Sequence, residues 1–260
     1  MTIPKEVLKD FKEGKYSILS GYRGSIAHGM YIPESDPNSI DDKDVMMVCI
    51  PPIDHYLGIK SDLFPSNGTK ELMKDSWDLV AYEIRKFMSL LSKGNPNVLS
   101  LLWLDNQYYI NMSPEGKELI ENRDLFVGKH VYHSFVGYAH GQLHRMTHGG
   151  TYNGHASAKR QELVKKFGFD CKNGAHLIRL LRMGTEFLTD GFLRVHREDA
   201  SQLLEIKKGE WSLEQVKKES DKWFDLASQA YVNSKLPSMP DLDKINSLCI
   251  QLIKSSGGIR

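Results

Sequence analysis

The sequence predicts an α+β fold, in which a small mixed sheet flanked by helices comes first and a helical domain follows it. Two apolar runs, KYSILSGY at 15–22 and VMMVCI at 45–50, have the length and residue types of strands. A third segment, WDLVAYEI at 77–84, alternates along its length as strands do. Beyond these segments, strand patterns fade and helical spacing takes over. We therefore expect two domains, at residues 1–125 and 126–260.

The elements of the first domain follow from local signals in chain order. The opening MTIPKEVLKDFKEGKY has the charged, amphipathic pattern of a helix rather than that of a signal peptide. Pro51 ends the strand at 45–50, because proline cannot donate to a β-ladder. The segment 77–84 leads into a helix that ends before Gly94. The apolar residues at helical spacing there are Ile84, Phe87, Met88 and Leu91.

The second domain consists of predicted helices separated by glycine-containing breaks. Gly149-Gly150 and the stretch from Gly168 to Gly174 supply such breaks, and LPSMPDLD leads into the last helix. The predicted helices lie near 130–148, 157–168, 173–190, 212–232 and 241–254.

The composition is ordinary for a soluble globular protein, with 40% hydrophobic and 26% charged residues. No segment approaches the roughly 18 apolar residues of a membrane helix, so we expect no membrane partner. The three cysteines, Cys49, Cys171 and Cys249, are scattered without metal-binding spacing. They fit a reducing compartment, and we expect a cytoplasmic protein.

The distribution of charge is more informative than the net charge of +1. Between His130 and Arg182 the chain has eight Lys or Arg residues and two acids, which leaves a difference of +6. Seven of the ten histidines lie in the same window. Such a concentration suits a polyanion, either a triphosphate or an RNA backbone. A solvated face balanced by acids elsewhere in space is the alternative interpretation.

Three carboxylates, Asp42, Asp44 and Asp78, predict a metal site. Asp42 and Asp44 lie at the start of the strand at 45–50, and the period of two places them on one face. Two carboxylates on one face repel each other unless a cation lies between them, and Mg²⁺ prefers oxygen ligands completed by substrate phosphates. With Asp78 from a neighbouring strand, three carboxylates can hold two metals about 4 Å apart for in-line attack on phosphorus.

Gly24 and Ser25 form a turn between a strand and a short predicted helix, IAHGM. Such a turn offers backbone N–H groups and a hydroxyl to a phosphate. The Gly-Ser pair alone is a weak signal. Its combination with the following Asp-x-Asp strand and the later Asp78 is much more specific.

The stretches RGSIAHGMYIPESD and DDKDVMMVCIPP resemble the Gly-Ser and Asp-x-Asp signature of DNA polymerase beta superfamily nucleotidyltransferases. More specifically, the chain resembles the RNA-repair-pathway branch associated with ligase and kinase-phosphatase operons. The similarity continues through YEIRKFMSLLSKGNPNVLSLLW, KRQELVKKFGFDCKNGAHLIRLLRMGTEFL and LLEIKKGEWSLEQ, and so covers nearly the whole chain.

The resemblance implies template-independent transfer of a nucleotide from an NTP, such as ATP, to an acceptor hydroxyl, with pyrophosphate release. It implies two Mg²⁺ or Mn²⁺ ions, an RNA or tRNA end as acceptor, and no DNA template. Ser25 would contact the triphosphate, and Asp42 and Asp44 would hold both metals. Asp78 would complete one metal site and act on the attacking hydroxyl.

One departure from the family pattern concerns Asp36. Family members read Ser-Asp-x-Asp soon after the Gly-Ser turn, whereas here Ser35-Asp36 is followed by PNSID before Asp42. Pro37 argues against a strand directly after Asp36. We therefore favour Asp42 and Asp44 as the pair, with Asp36 left open as the alternative ligand.

Further candidates for binding the nucleotide are basic. His176 and Arg179 are three residues apart, and so are neighbours on the predicted helix at 173–190, with Lys172 on its approach. An arginine there could hold a phosphate bidentately, or the helix could be stabilised by its own ion pairs. Arg23 and His28, on either side of Gly24-Ser25, could reach the phosphates, the sugar or the acceptor, or serve as structural and surface residues.

The acceptor is the least determined feature. A small-molecule or protein hydroxyl would use the same metal site, and the near-neutral charge does not exclude either. A catalytically inactive nucleotide-binding module is a third possibility, although it would be expected to lack a carboxylate and all three are present.

Overall fold

The structure is a computed structural model that describes residues 3–37, 39–59, 63–148 and 158–257, without the side chains of 148, 158 and 159. The chain forms two compact units, and neither is continuous in sequence. Unit 1 comprises the described residues of Met1–Ala27, Asp42–Val127 and Pro240–Arg260. Unit 2 comprises those of His28–Asp41 and Gly128–Met239.

The two domains expected at residues 1–125 and 126–260 stay a prediction, which divides the chain at a single point in the sequence. The compact units group the segments differently, because 28–41 belongs to unit 2 and 240–260 to unit 1.

Unit 1 is built on a mixed sheet, which agrees with the predicted α+β class. In the described residues its strands are β1 Ser17–Tyr22, β2 Lys43–Cys49, β3 Thr69–Lys74, β4 Trp77–Glu83 and β5 Tyr109–Met112. Their order is β3-β4-β2-β1-β5. The pair β2 and β4 is parallel, whereas the pairs β1–β2, β1–β5 and β3–β4 are antiparallel.

The two central strands are buried on both faces, which explains their apolar sequences. Val45, Met47 and Cys49 of β2 join Leu79 and Ala81 of β4 in one core cluster. The edge strand β3, TKELMK, was not predicted, because half of its residues are exposed and most of them are polar.

The helices of both units are numbered in chain order. They are α1 Lys5–Lys9, α2 Gly24–Ala27, α3 Asp54–Leu57, α4 Ile84–Ser92, α5 Pro96–Leu99, α6 Pro114–Glu121, α7 Val131–His148, α8 Ala158–Phe167, α9 Cys171–Asp190, α10 Ala200–Lys207, α11 Leu213–Asn233 and α12 Leu242–Ser256. Short 3-10 turns cover Lys12–Tyr16, Ser100–Trp103, Asn106–Tyr108 and Arg123–Phe126.

The N-terminal segment differs from the expected continuous helix. Helix α1 ends at Lys9, and a separate 3-10 turn follows after Phe11. Phe11 and Val7 are both 1% exposed, since they pack into the sheet core. Burial of Phe11 in this core thus coincides with the interruption of the helix.

Helix α12 belongs to unit 1 despite its late position in the chain. It begins after Asp241, whose side chain accepts a hydrogen bond from the Lys244 amide. It packs against α4 and α6. The side chains that it buries are Ile245, Leu248, Cys249 and Leu252.

Unit 2 is helical in its described part, and α9 is its central element, packed against α7, α10 and α11. Asp170 caps α9 by accepting from the Asn173 amide, and Gly191 ends the helix with a left-handed φ of 69°. The helices predicted near 130–148, 157–168 and 173–190 correspond to α7, α8 and α9.

All three cysteines are buried and free of disulfides. Among the described residues, no helix combines the length and apolar character needed to cross a membrane.

Candidate active site

The parallel pairing of β2 with β4 places Asp44 beside Asp78. The two residues are Cα partners in the register, at the start of both strands, where neighbouring strands lie about 4.8 Å apart. The next pair, Val45 and Leu79, points into the core, so the two aspartates lie on the opposite face. Their side chains are 23% and 31% exposed, which leaves them open to a ligand.

Arg23 lies between these two carboxylates. Its Nη2 donates to Asp78 Oδ2 at 2.6 Å and is 3.7 Å from Asp44 Oδ1. Its backbone N–H donates to the Asp44 carbonyl at 3.0 Å, which fixes the end of β1 to β2. The Nε atom is buried and has no hydrogen-bond partner. The guanidinium therefore lies between the two carboxylates and neutralises their charge, as a metal ion bound at the same position would.

Gly24 leaves room for the Asp44 carboxylate. Its φ is +60°, and a Cβ at this position would be 2.2 Å from Asp44 Oδ2. Both the backbone conformation and the contact therefore require glycine. Ser25 follows within α2 and is 6% exposed. Gly24 of the predicted Gly-Ser turn thus lies directly against Asp44.

Asp42 immediately precedes β2, two residues before Asp44, and is half-buried. The alternative ligand, Asp36, lies in a turn of unit 2 in which its amide donates to the Pro33 carbonyl. Asp42 and Asp44 belong to unit 1 together with Asp78, and Asp44 is aligned with Asp78 in the strand register, so Asp42 and Asp44 stay the predicted pair.

The fit of a metal ion can be judged from the donors present. Within the described ranges, no three His, Cys, Asp or Glu side chains are grouped closely enough to hold a metal ion. The Asp44–Asp78 pair instead holds one arginine cation. A hard divalent ion that takes oxygen ligands from carboxylates and completes its shell with substrate phosphates fits this donor set.

The other predicted nucleotide-binding residues, His28, Lys172, His176 and Arg179, lie in unit 2. Lys172 Nζ donates to the Ile40 carbonyl at 3.0 Å. His28 Nδ1 donates to the Val195 carbonyl at 2.8 Å, because a carbonyl can only accept.

Arg179 departs from the expected position on an accessible helix side, because it is 4% exposed. Burial, and then the nearby Arg197, lower its pKa to about 9. Burial, followed by the charge of Arg179, also holds the pKa values of His28 and His176 well below the ordinary value. At neutral pH both imidazoles are therefore uncharged.

Sequence reasoning did not find Asp41, which is buried in unit 2. Its carboxylate pairs with Lys207 Nζ and accepts from the Ile32 amide at 2.9 Å, while Lys172 Nζ lies 3.4 Å away. Lys207 also donates to the Met30 carbonyl at 2.8 Å. These bonds attach the segment 28–41 to unit 2 directly before Asp42. The only sequence signal was the doubled acid at 41 and 42.

The comparison with protein families agrees with the resemblance seen in the motifs. Residues 16–251 match RlaP, the RNA repair pathway DNA polymerase beta family. The matched region contains the aspartate pair, the Gly-Ser turn, all of unit 2 and most of unit 1. No curated protein matches the chain in sequence.

Proposed function

We propose, from the premise that this chain belongs to the RNA repair pathway DNA polymerase beta family, that it is a template-independent nucleotidyltransferase. It moves an NMP from an NTP to the hydroxyl of an RNA end and releases pyrophosphate. The observation that carries the proposal is the alignment of Asp44 with Asp78 on adjacent parallel strands, against the Gly-Ser turn.

The aspartates act as ligands in this proposal. Asp42 and Asp44 would hold two Mg²⁺ or Mn²⁺ ions, and Asp78 would complete one of the two sites. When bound, such ions neutralise phosphate charge and acidify the attacking hydroxyl. The acceptor oxygen bonds to the α-phosphorus while the bond from that phosphorus to the α–β bridging oxygen breaks. Asp78 accepts the hydroxyl proton, and pyrophosphate takes the bridging oxygen and its electron pair.

Arg23 and Ser25 would act on the triphosphate. Arg23, which pairs with these carboxylates, would pair with phosphate oxygens if cations took its place there, and its planar donors are suited to them. The buried Ser25 follows Gly24 on the same turn and supplies a hydroxyl donor. Most of the rate enhancement would then come from positioning and from neutralised charge.

RNA is the favoured acceptor because the family belongs to RNA repair. The basic window at 130–182 contributes little to this choice, because Arg179 and Arg182 are buried and Arg160 and Lys172 contact acids. A small-molecule or protein hydroxyl would use the same aspartates. An inactive nucleotide-binding module would bind NTP without transfer. Both are outcomes that the following experiment separates from the proposal.

The test is incubation with Mg²⁺ or Mn²⁺, each labelled NTP and a pool of small RNAs. Asp44→Asn and Asp78→Asn should each abolish the label on RNA. Asp75→Asn is the matched control, because this exposed turn residue has a φ of 54° that asparagine also tolerates. It should leave transfer unchanged.

The possible results discriminate between the functions. Label on RNA that is lost only in the Asp44 and Asp78 variants supports the proposal. Pyrophosphate release with another acceptor keeps the aspartate site and rejects RNA. Metal-dependent NTP binding without any transfer indicates a binding module, and transfer that survives both substitutions rejects the site.

A further inference from the structure

Arg179 is a buried cation without a counter-charge in the part of the chain that the structure describes. It lies in the middle of α9 and is 4% exposed. Its Nη1 donates only to the Met183 sulfur, at 3.2 Å, and its Nε is buried without a hydrogen-bond partner. A thioether is a weak acceptor and carries no charge, so this contact leaves the guanidinium uncompensated.

The two neighbouring buried arginines, in contrast, are each paired with carboxylates. Arg182, one turn further along α9 and 6% exposed, donates to Asp199 at 2.5 Å and to Glu219 at 2.7 Å. Arg197, 5% exposed, donates to Asp199 and to both oxygens of Glu186. Arg179 is as deeply buried as these two arginines, but no carboxylate among the described residues pairs with it.

Two further basic side chains face Arg179 closely enough to interact with it electrostatically. They are His28, which is 4% exposed and oriented by its hydrogen bond to Val195, and His176 on the preceding turn of α9. Burial and the charge of Arg179 lower the pKa of both histidines. The three groups thus form a basic cluster, with Arg179 and His28 buried and His176 partly buried, that an entering anion would stabilise.

We propose that Arg179, His28 and His176 form an oxyanion site in unit 2 that binds a phosphoryl group without a divalent metal. A phosphate supplies several acceptor oxygens for the planar guanidinium, together with more than one negative charge for the protonatable imidazoles. Lys172 is outside the site, because its Nζ contacts Ile40 and Asp41. The proposal rests on unit 2 alone and does not require the aspartate chemistry of unit 1.

The first measurement is calorimetric titration of the metal-free protein in EDTA with inorganic pyrophosphate. Wild-type protein should bind, and Arg179→Met should bind at least tenfold more weakly. Arg145→Gln is the control, because Arg145 is an exposed residue of the same basic window. An equal loss in Arg145→Gln, or no binding by the wild type, would overturn the proposal.

A thermal melt separates binding from a structural role. Because Arg179 is an uncompensated buried charge, Arg179→Met should melt at the same or a higher temperature than wild type in the absence of anion. Pyrophosphate should raise the melting temperature of the wild type and of Arg145→Gln but not that of Arg179→Met. A variant that melts lower and still responds to pyrophosphate would contradict the proposal. Arg179→Lys, which keeps the charge, should retain part of the response.

The pH dependence provides an independent signature. An anion favours the protonated imidazoles, so binding should take up protons and tighten as the pH falls from about 7.5 to about 6. The charged and titratable groups that act on His28 and His176 are Arg179, Arg197, His196, Lys172 and Lys207, and the two lysines are themselves paired with Asp41. His28→Gln should reduce the proton uptake, and affinity that is unchanged across this range would count against the histidines.

The source of the phosphoryl group is decided by separate titrations with ATP, a 5′-phosphorylated RNA oligonucleotide and its 5′-hydroxyl counterpart, all without metal. Arg179-dependent binding of ATP assigns the site to the nucleotide. Arg179-dependent preference for the 5′-phosphorylated RNA assigns it to the acceptor. Absence of any Arg179-dependent binding rejects the site, whereas loss of transfer alone would reject only the proposed function.

Discussion

Arg23 Nη2 lies 2.6 Å from Asp78 Oδ2 and 3.7 Å from Asp44 Oδ1, so one guanidinium neutralises two carboxylates of adjacent strands. Arg23 is held there by the chain itself, because its amide donates to the Asp44 carbonyl. In the proposed metal site, a cation at these carboxylates would take the position that the guanidinium occupies, and Arg23 would then compete with the metal.

This competition predicts opposite effects of Arg23→Gln on two binding equilibria. Mn²⁺ alone should bind about fivefold more tightly, since a partly exposed ion pair contributes about 1 kcal/mol. Mn²⁺ with a non-hydrolysable NTP should bind more weakly, because the released guanidinium is no longer available to the phosphates. Electron paramagnetic resonance of free Mn²⁺ measures both. Arg85→Gln, which breaks the pair between an exposed arginine and Glu83, should change neither. A change of the same sign in both equilibria would exclude the exchange.

The contact between Gly24 and Asp44 predicts a large effect from one methyl group. Gly24→Ala adds a Cβ 2.2 Å from the Asp44 carboxylate at a φ of +60°. It should lower the free energy of unfolding by about 1–3 kcal/mol and weaken Mn²⁺ binding, because Asp44 must move. The matched control is Gly137→Ala in α7, where a Cβ meets no atom within 4 Å. There alanine should stabilise by about 0.5–1 kcal/mol. Urea unfolding checks both, and equal effects would refute the steric argument.

The buried pair of Asp41 and Lys207 predicts a strong dependence of unit 2 on both partners. Asp41→Leu leaves the Lys207 ammonium, 6% exposed, without its carboxylate. The expected loss in the free energy of unfolding is about 3–5 kcal/mol. Adding Lys207→Met should recover most of it, because no unpaired charge is then buried. The double-mutant cycle would count against the pair if the two losses were additive.

Buried neutral histidines predict a loss of stability in mild acid. The pKa of His28 in the folded protein is well below its ordinary value, so between the two values the unfolded chain binds more protons. The stabilisation is therefore present above the unfolded pKa of about 6.5 and is lost as the pH falls below it. The slope is at most about 1.4 kcal/mol per pH unit for each histidine.

Urea unfolding of wild type and His28→Gln at pH values between about 7.5 and about 5 would measure this slope, in the range where histidine titrates. The variant should show a flatter dependence. His133→Gln, at an exposed position of α7, should keep the wild-type slope. A wild-type stability that rises as the pH falls would have the wrong sign for this mechanism.

The centre of the sheet could be predicted because burial on both faces makes β2 and β4 apolar over most of their length. The edge strands could not. Strand β3 is exposed at half of its positions, and β5 has four residues, too few to show a period. Edge strands owe their conformation to the neighbouring strand rather than to their own sequence.

The site was predictable where its residues are close in sequence or belong to one motif. Asp44, Gly24 and Arg23 fall within one strand–turn–strand segment, and β4 supplied Asp78. The pairing of Asp41 with Lys207 was not predictable, because the two residues are 166 positions apart in the sequence. Burial of Arg179 was also missed, since a helical pattern identifies apolar faces and does not show which polar residues a neighbouring segment covers.

The late position of α12 has a consequence for synthesis on the ribosome. Both segments of unit 2 leave the ribosome before the residues that α12 contributes to unit 1, among them Leu248 and Leu252. Synthesis proceeds at about 5–20 residues per second, so several seconds pass between the appearance of α4 and α6 and that of α12. During this time the surfaces of α4 and α6 that α12 covers are exposed. The helical unit can therefore be complete before the aspartate-bearing unit, which can bury Leu248 and Leu252 only after these residues have left the ribosome.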